Sequence, residues 1–265
     1  VLFGGNVRGV SNLELLKEVT SEHIAVLELD SWQLQGFGSP STKSDLVLGM
    51  AKINPNIGVF TTFYQDHLNY YGSTSLATGK NAMDEYLADK ANIFLYQKPE
   101  DTLVMGSQCA PTIIEKYGEK IKSKVIVADE FKLPDAWILH IPGQHNRYNA
   151  ALALAAARAM QISDEVSRHA LETFTGVPGR LELIREVNGI KIYNDTTSTT
   201  PEATLAALAA LSAPMSGRGT SRHDKSGSSQ PIVLIMGGAD KGLDMSALLA
   251  KLPELKRVIL LAGSG

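Results

Sequence analysis

Apolar runs recur along the chain, separated by longer amphipathic stretches, and this pattern predicts strands alternating with helices. The run His23-Ile-Ala-Val-Leu-Glu-Leu-Asp30 is typical of a buried parallel strand. Residues 150–157 lack a polar face and predict a helix buried on all sides. Further strands are predicted at 46–50, 57–63, 102–106, 124–128, 137–141, 181–187, 190–193, 232–236 and 258–262, and helices at 12–19, 82–94, 111–117, 164–174 and 202–211. The alternation predicts an α/β fold with a mostly parallel sheet flanked by helices.

Turn residues divide this pattern into two predicted domains, 1–176 and 177–265. Gly176-Val-Pro-Gly-Arg180 marks the boundary, because proline and glycine punctuate domain junctions. Asn188-Gly189 between two strand patterns predicts a two-residue hairpin. Residues 212–230 are rich in serine and glycine and predict a flexible insertion. Since the chain begins and stops abruptly, we expect it to be part of a longer protein.

Composition adds few constraints. The chain has 265 residues, of which 44% are hydrophobic, and a net charge of -3, which is typical of a globular protein. It has no basic run that suggests nucleic acid and no apolar stretch of membrane-spanning length. We therefore expect that the protein binds neither nucleic acid nor a membrane and that it is cytoplasmic. The single Cys109 excludes an internal disulfide and is expected to be a small buried hydrophobe.

Two polar segments follow predicted strands, where open α/β sheets place their ligands. Glu28 lies near the end of a predicted buried strand, and a buried carboxylate needs either a bound cation or a neighbouring lysine. The residues alone leave both possibilities open. Asp66 and His67 follow the strand predicted at 57–63 and are candidates for binding metal or substrate.

A third segment, Pro142-Gly-Gln-His-Asn-Arg-Tyr-Asn149, precedes the apolar helix. Gly143 suits a turn, and Asn146 is a plausible helix start. Asn146 and Asn149 share one face of the first turn and can pair with a flat polar ligand such as a nucleobase. On this segment alone, an ordinary N-cap on a core helix is the favoured interpretation.

The fourth segment is Asp195-Thr-Thr-Ser-Thr-Thr-Pro201, which joins a predicted strand to a predicted helix. Such a unit aims amides and hydroxyls outward, as anion sites do. The alternative is a threonine-rich capping loop.

Eight segments, taken together and in order, resemble the Mur ligase family. They are Gly-Gly-Asn6, Leu-Glu28-Leu-Asp-Ser-Trp-Gln-Leu, Asp-His67-Leu, Ala-Asp-Lys90-Ala, Gly-Gln-His-Asn146-Arg-Tyr-Asn149, Pro-Gly-Arg180, Asn-Asp195-Thr and Gly-Gly-Ala-Asp-Lys241-Gly. The family has a UDP-sugar-binding domain, a central ATPase domain and a Rossmann-like C-terminal domain. The resemblance implies that this chain holds the central domain from just after its phosphate loop and about half of the third.

The family's phosphate loop, Gly-Thr-x-Gly-Lys-[Ser/Thr], does not occur in the sequence. Gly79-Lys80-Asn81 lacks the upstream glycine spacing and the metal-binding hydroxyl. We therefore expect this chain alone to be inactive.

The resemblance implies an ATP-dependent ligase of peptidoglycan precursor synthesis that adds D-glutamate to UDP-N-acetylmuramoyl-L-alanine through an acyl phosphate. It implies two Mg²⁺ ions, a carbamylated Lys90, small-molecule partners only and a monomer. The implied catalytic residues and metal ligands are Glu28, His67 and Lys90. The implied nucleotide contacts are Asn146, Asn149, Arg180 and Asp195, and the implied substrate contacts are Asn6, His67, Thr199 and Lys241.

Three positions depart from the pattern of the resembled family. Asp30 replaces a serine, Gly179 a histidine and Thr197 a lysine. These departures keep open a related ligase with another acceptor, such as L-glutamate, or a folylpolyglutamate-type ligase. The absent phosphate loop keeps open a catalytically silent nucleotide-sugar-binding protein.

Overall fold

The computed structural model describes residues 1–7, 11–38, 52–72, 79, 81–212, 231–239 and 241–262. Its strands are β1 (Leu2–Gly5), β2 (Ala25–Glu28), β3 (Ile57–Phe60), β4 (Thr102–Gly106), β5 (Lys124–Ala128), β6 (Glu182–Val187), β7 (Ile190–Asn194), β8 (Val233–Met236) and β9 (Arg257–Leu260). Its α-helices are α1 (Asn12–Leu15), α2 (Ser31–Gln35), α3 (Ala82–Ala91), α4 (Ala110–Tyr117), α5 (Gln144–Ala159), α6 (Asp164–Thr173), α7 (Pro201–Ser212) and α8 (Ser246–Lys251). The strand predicted at 46–50 and residues 213–230 of the predicted insertion lie outside the described residues.

The best-buried layer is the parallel sheet β3-β4-β5. Because side chains alternate along a strand, Leu103 and Met105 of β4 pack with α3 and α4, whereas Val104 packs with α5 on the other face. Cys109 is buried beside the first of these faces, and burial raises the pKa of its thiol to about 11. The expectation of a small buried hydrophobe at Cys109 is confirmed.

The other strands form three two-stranded sheets. Strands β1 and β2 are parallel, as are β8 and β9, whereas β6 and β7 form an antiparallel hairpin. The hairpin turns at Asn188 (φ 51°) and Gly189 (φ 78°), both in the left-handed region that this two-residue turn requires. The predicted α/β class with mainly parallel pairing is therefore present, although the strands of the described part are divided among separate sheets.

The predicted burial of residues 23–30 is wrong. Every residue of β2 is exposed. A two-stranded sheet offers little cover to its own faces, and the described elements beside β2 do not enclose it. The apolar pattern identifies the strand correctly but not its surroundings.

The predicted burial of α5 on all sides is also wrong. Ala150, Ala151 and Leu154 are buried, whereas Asn149 and Ala153, four residues apart, are exposed. The helix packs one side on the β3-β4-β5 sheet and another on α6, which leaves this strip open.

The strand predicted at 137–141 is absent from the described structure. Trp137 is buried, and its carbonyl oxygen accepts a hydrogen bond from the Arg147 guanidinium at 3.1 Å. The backbone amide of Ile138 donates to the Glu172 carboxylate at 3.2 Å. Side chains thus satisfy these backbone groups in place of a neighbouring strand.

Candidate active site

His67 lies at the end of the segment that leaves the carboxyl end of β3. Its φ of 55° is uncommon for a residue other than glycine, and its amide donates to the Asp66 side chain at 2.8 Å. Its carbonyl oxygen accepts the amides of Tyr70 and Tyr71 at 2.9 and 3.1 Å, which begins the helical residues 68–72. This turn fixes the direction in which the imidazole leaves the backbone.

Two aromatic side chains hold the His67 ring. Its centroid lies 4.4 Å from that of Trp32 and 6.0 Å from that of Tyr86. Burial lowers the pKa of His67 below the usual histidine value, although the Asp66 carboxylate opposes this shift. A neutral imidazole is the form that binds a metal ion.

Lys90 projects from α3 toward the same aromatic group. Its Nζ lies 5.1 Å from the centroid of the Tyr86 ring, so His67 and Lys90 share a neighbour. Burial lowers the pKa of Lys90, and the carboxylates of Asp30 and Asp66 act in the opposite direction. Lys90 is therefore half-buried and is not a solvated surface lysine.

Lys241 joins this group from a distant part of the chain. Its Nζ lies 3.0 Å from Oδ1 of Asp66, and Oδ2 of Asp66 lies 3.6 Å from Nε2 of His67. Three of the residues selected from the sequence, His67, Lys90 and Lys241, thus surround one carboxylate and one tyrosine ring. We define Asp66, His67, Tyr86, Lys90 and Lys241 as the lysine-histidine cluster.

Asn6 and Glu28 form a second group at the ends of β1 and β2. The amide of Asn6 donates to the backbone oxygen of Glu28 at 2.7 Å, and both residues are exposed. Gly5, opposite Glu28, has φ 91°, and a Cβ there would lie 1.8 Å from the Glu28 oxygen. The Asn12 side chain braces this turn by accepting the Gly5 amide at 2.7 Å.

Of the three predicted metal ligands, the structure brings together His67 and Lys90. Among the described residues, no group of three or more His, Cys, Asp and Glu side chains is arranged to hold a metal ion. An oxygen donor is what a hard divalent cation requires, so the cluster fits such a cation once Lys90 carries a carbamate. Glu28 stays a predicted ligand that no contact in the described residues ties to the cluster.

The predicted start of α5 at Asn146 is wrong, whereas contact of Asn146 and Asn149 with a nucleotide stays a prediction. The helix begins at Gln144 after Gly143, whose φ is 99°, so Asn146 is not the helix start. A Cβ at residue 143 would lie 2.6 Å from the Ala210 Cβ, and glycine therefore allows this close approach. Asn146 donates its side-chain amide to the Pro142 oxygen at 2.7 Å, while Asn149 is exposed.

Arg180, Asp195 and Thr199 lie on neighbouring segments at the open end of the β6-β7 hairpin. Oδ1 of Asp195 accepts the Leu181 amide at 2.9 Å, which ties the residue after Arg180 to the end of β7. Arg180 and Thr199 are exposed. Burial lowers the pKa of the half-buried His145, which is next to Asn146 in sequence. The Asp195 carboxylate opposes this shift.

The sequence did not predict three residues of the site: Trp32, Tyr86 and His145. Trp32 and His145 both lie inside segments on which the resemblance rests. Trp32 is four residues after Glu28 and His145 is next to Asn146, and that proximity was the available signal. Tyr86 is four residues before Lys90 and so shares its helix face, which helical spacing alone could have indicated.

Comparison with known proteins finds similar proteins both by sequence and by structure. No protein-family model matches the chain. A UDP-N-acetylmuramoylalanine--D-glutamate ligase of Acetivibrio thermocellus is 32% identical, over 98% of this chain and 51% of the relative. The structure of MurF ligase from Thermotoga maritima in complex with ADP has a TM-score of 0.60 at 18% identity, covering 94% of this chain and 56% of that one. Mycobacterium tuberculosis folylpolyglutamate synthase complexed with ADP has a TM-score of 0.55 at 18% identity, covering 78% and 47%.

The chain spans about half the length of the curated relatives it matches. At 18% identity the structural likenesses show a shared fold. Within the described residues, no helix combines the length and the apolar character needed to cross a membrane.

Proposed function

The chain belongs to the Mur ligase family, and on that premise we propose that the protein containing it is an ATP-dependent ligase that joins D-glutamate to UDP-N-acetylmuramoyl-L-alanine. The observation that supports this most is the lysine-histidine cluster. Residues 66, 67, 90 and 241 come from three separate parts of the chain and meet in a partly buried place. Burial there lowers the pKa of both His67 and Lys90. Perturbed groups gathered in this way are typical of active sites.

The proposed reaction activates a carboxylate. The alanine carboxylate takes the γ-phosphoryl group of ATP, giving an acyl phosphate and ADP. The glutamate amine then attacks the acyl carbon, phosphate leaves, and the attacking nitrogen loses its proton to yield the amide. The protein's contribution is mainly to position the reactants and to neutralise charge.

Lys90 and His67 would hold one of two Mg²⁺ ions, with Glu28 at the other. The neutral amine of Lys90 would attack CO₂ and lose a proton to give a carbamate. A side chain that is otherwise an ammonium cation then offers two oxygen donors. The lowered pKa of Lys90 favours this step, because only the neutral amine is nucleophilic. When bound, the ions supply positive charge that offsets the phosphates.

We place the nucleotide between two domains, a central ATPase-type domain at 1–176 and a Rossmann-like domain at 177–265. Asn146 and Asn149 would contact adenine, Asp195 the ribose and Arg180 the phosphates. Lys241 and Thr199 would bind the glutamate carboxylates, with Asn6 and His67 facing the muramoyl substrate. The exposure of Arg180, Asn149 and Thr199 leaves their side chains accessible to a ligand. We further propose a cytoplasmic monomer with small-molecule partners only.

A ligase with another acceptor is the second candidate. The likeness to folylpolyglutamate synthase and the threonine at position 197 support it. The deciding experiment measures phosphate release by the full-length protein with ATP, Mg²⁺ and UDP-N-acetylmuramoyl-L-alanine, adding D-glutamate or L-glutamate. We expect D-glutamate to be preferred. Preference for neither would overturn the acceptor assignment, and substrate binding without any turnover would favour a silent binding protein.

A further inference from the structure

We propose that Asp66 positions Lys241 for the carboxylate of the acceptor amino acid, an inference that rests on the proposed function. The observation is a contact between residues that are 175 positions apart in the chain: Nζ of Lys241 donates to Oδ1 of Asp66 at 3.0 Å. No local feature of the sequence brings these two residues together.

The contact is sheltered. The Asp66 side chain is 19% exposed and that of Lys241 is 28% exposed, so water and salt screen the pair less than a surface ion pair. The other carboxylate oxygen of Asp66 lies 3.6 Å from Nε2 of His67. Asp66 therefore lies between the imidazole and the ammonium, and it fixes the separation between them.

An ammonium group has three donors on a long, flexible stem. One of the Lys241 donors is used by Asp66. Within the part of the chain that the structure describes, the other two have no acceptor and are open to a carboxylate that enters beside His67. Holding the stem in advance reduces the rotamer freedom that the acceptor would otherwise have to remove on binding. Among the described residues, the Asp66 carboxylate also acts on Lys90, and both Lys90 and Asp30 act on His67.

An alternative role for Asp66, competition with the acceptor for Lys241, predicts the opposite change in acceptor binding. If Asp66 competed with the acceptor for Lys241, its removal would strengthen acceptor binding. If Asp66 positions Lys241, its removal weakens acceptor binding. The sign of the change in glutamate KM therefore separates the two roles.

The contact itself is tested in the present chain, without any activity. Urea unfolding is measured for wild type, Asp66→Asn, Lys241→Met and the double variant. We expect each single change to lower the unfolding midpoint and the double change to lower it no further. Fully additive shifts would show that the pair is not formed, and would overturn the inference whatever the protein catalyses.

The role is tested in the full-length protein by initial rates with varied glutamate and varied ATP. Asp66→Asn should raise the glutamate KM by about tenfold and have a smaller effect on kcat and on the ATP KM. Asp66→Glu should recover part of the loss, and Glu119→Gln, which removes an exposed carboxylate, is the matched control. An unchanged or lower glutamate KM overturns the role. An increase in the Mg²⁺ concentration that gives half the maximal rate would also overturn it, by assigning Asp66 to the metal.

A wild-type full-length protein without ligase activity would overturn the proposed function and, with it, this role. Ligation that responds to Asp66→Asn only in kcat would overturn the role alone. The two failures are therefore distinguishable.

Discussion

Thr197 makes two hydrogen bonds to Gly179. Its hydroxyl donates to the Gly179 carbonyl oxygen at 2.6 Å, and its backbone amide donates to the same oxygen at 3.0 Å. These residues occupy two of the positions at which the chain departs from the family's pattern. A Cβ at Gly179 would lie 3.2 Å from the Thr197 methyl carbon and 3.3 Å from the Thr196 hydroxyl. The two departures therefore pack against each other, beside the exposed Arg180.

Thr197→Val should destabilise the chain by about 1 kcal/mol, because it removes one hydrogen bond and keeps the shape of the side chain. The Gly179 oxygen still accepts the residue 197 amide, so no buried acceptor is left without a partner. Urea unfolding at neutral pH measures the difference. Thr197→Ser should retain most of the stability, and the exposed Thr199→Val is the control. Equal stability of the Val and Ser variants would show that the hydroxyl bond contributes nothing.

Gly5→Ala should destabilise the chain by more than about 2 kcal/mol, because the new Cβ meets backbone and the φ of 91° is strained for alanine. The clash is with the Glu28 oxygen, which also accepts the Asn6 amide, so relief requires the β1-β2 pair to separate. Thermal unfolding measures the loss. Gly72→Ala is the matched control, since a Cβ there has no neighbour within 4 Å among the residues that the structure describes. Similar melting temperatures for the two variants would contradict this account of the turn.

His145→Gln should make the chain less sensitive to acid. Burial lowers the pKa of His145 in the folded chain. At pH values below about 6.5, the usual histidine pKa, the unfolded chain therefore binds a proton at this residue more readily than the folded chain does. Stability is therefore lost as the pH falls from about 6.5 through the lowered pKa, and it is regained as the pH rises. Unfolding free energies at about pH 7.5 and about pH 5 measure the difference.

The exposed His140→Gln is the control for loss of a histidine. If His145→Gln loses as much stability on acidification as the wild type, burial of this imidazole is not a source of the acid sensitivity.

The apolar runs locate the strands of the three-stranded sheet, but they do not report how far each strand is buried. The predicted bounds of β4 and β5, 102–106 and 124–128, match the structure to the residue. Most of β4 is buried, whereas only Ala128 of β5 is. The run at 23–30 is just as apolar, yet β2 is exposed. Burial depends on which elements pack against a strand, and the local sequence does not encode that.

The same limit applies to the site. His67 and Lys90 each lie in a recognisable segment, and the end of β3 and helix α3 bring those segments to one tyrosine ring. The pairing of Asp66 with Lys241 joins residues 175 positions apart. Neither periodicity nor spacing reports a contact of that range, and the Thr197-Gly179 contact was missed for the same reason. Both are set by how the segments pack.

Lys90→Ala in the full-length protein should reduce ligation by at least roughly a hundredfold, with partial rescue by formate or acetate. Burial lowers the pKa of Lys90 and so enlarges the neutral fraction that can react with CO₂, although the carboxylates of Asp30 and Asp66 oppose this shift. A short carboxylate can enter the space left by the lysine stem and supply the oxygen donors of the lost carbamate. Exposed Lys120→Ala is the control and should need no rescue.

A spectroscopic measurement separates the carbamate from a purely structural role of Lys90. Wild-type protein equilibrated with ¹³C-labelled CO₂ should show a carbamate carbon resonance by NMR that Lys90→Ala lacks and Lys120→Ala retains. Lowering the pH should remove the resonance, because protonation of the amine competes with CO₂ for the same nitrogen lone pair. An Ala variant that ligates at the wild-type rate without added carboxylate would show that Lys90 does not hold the metal. Lost activity with neither rescue nor a resonance would assign Lys90 to packing against Tyr86, where its ammonium already lies 5.1 Å from the ring centroid.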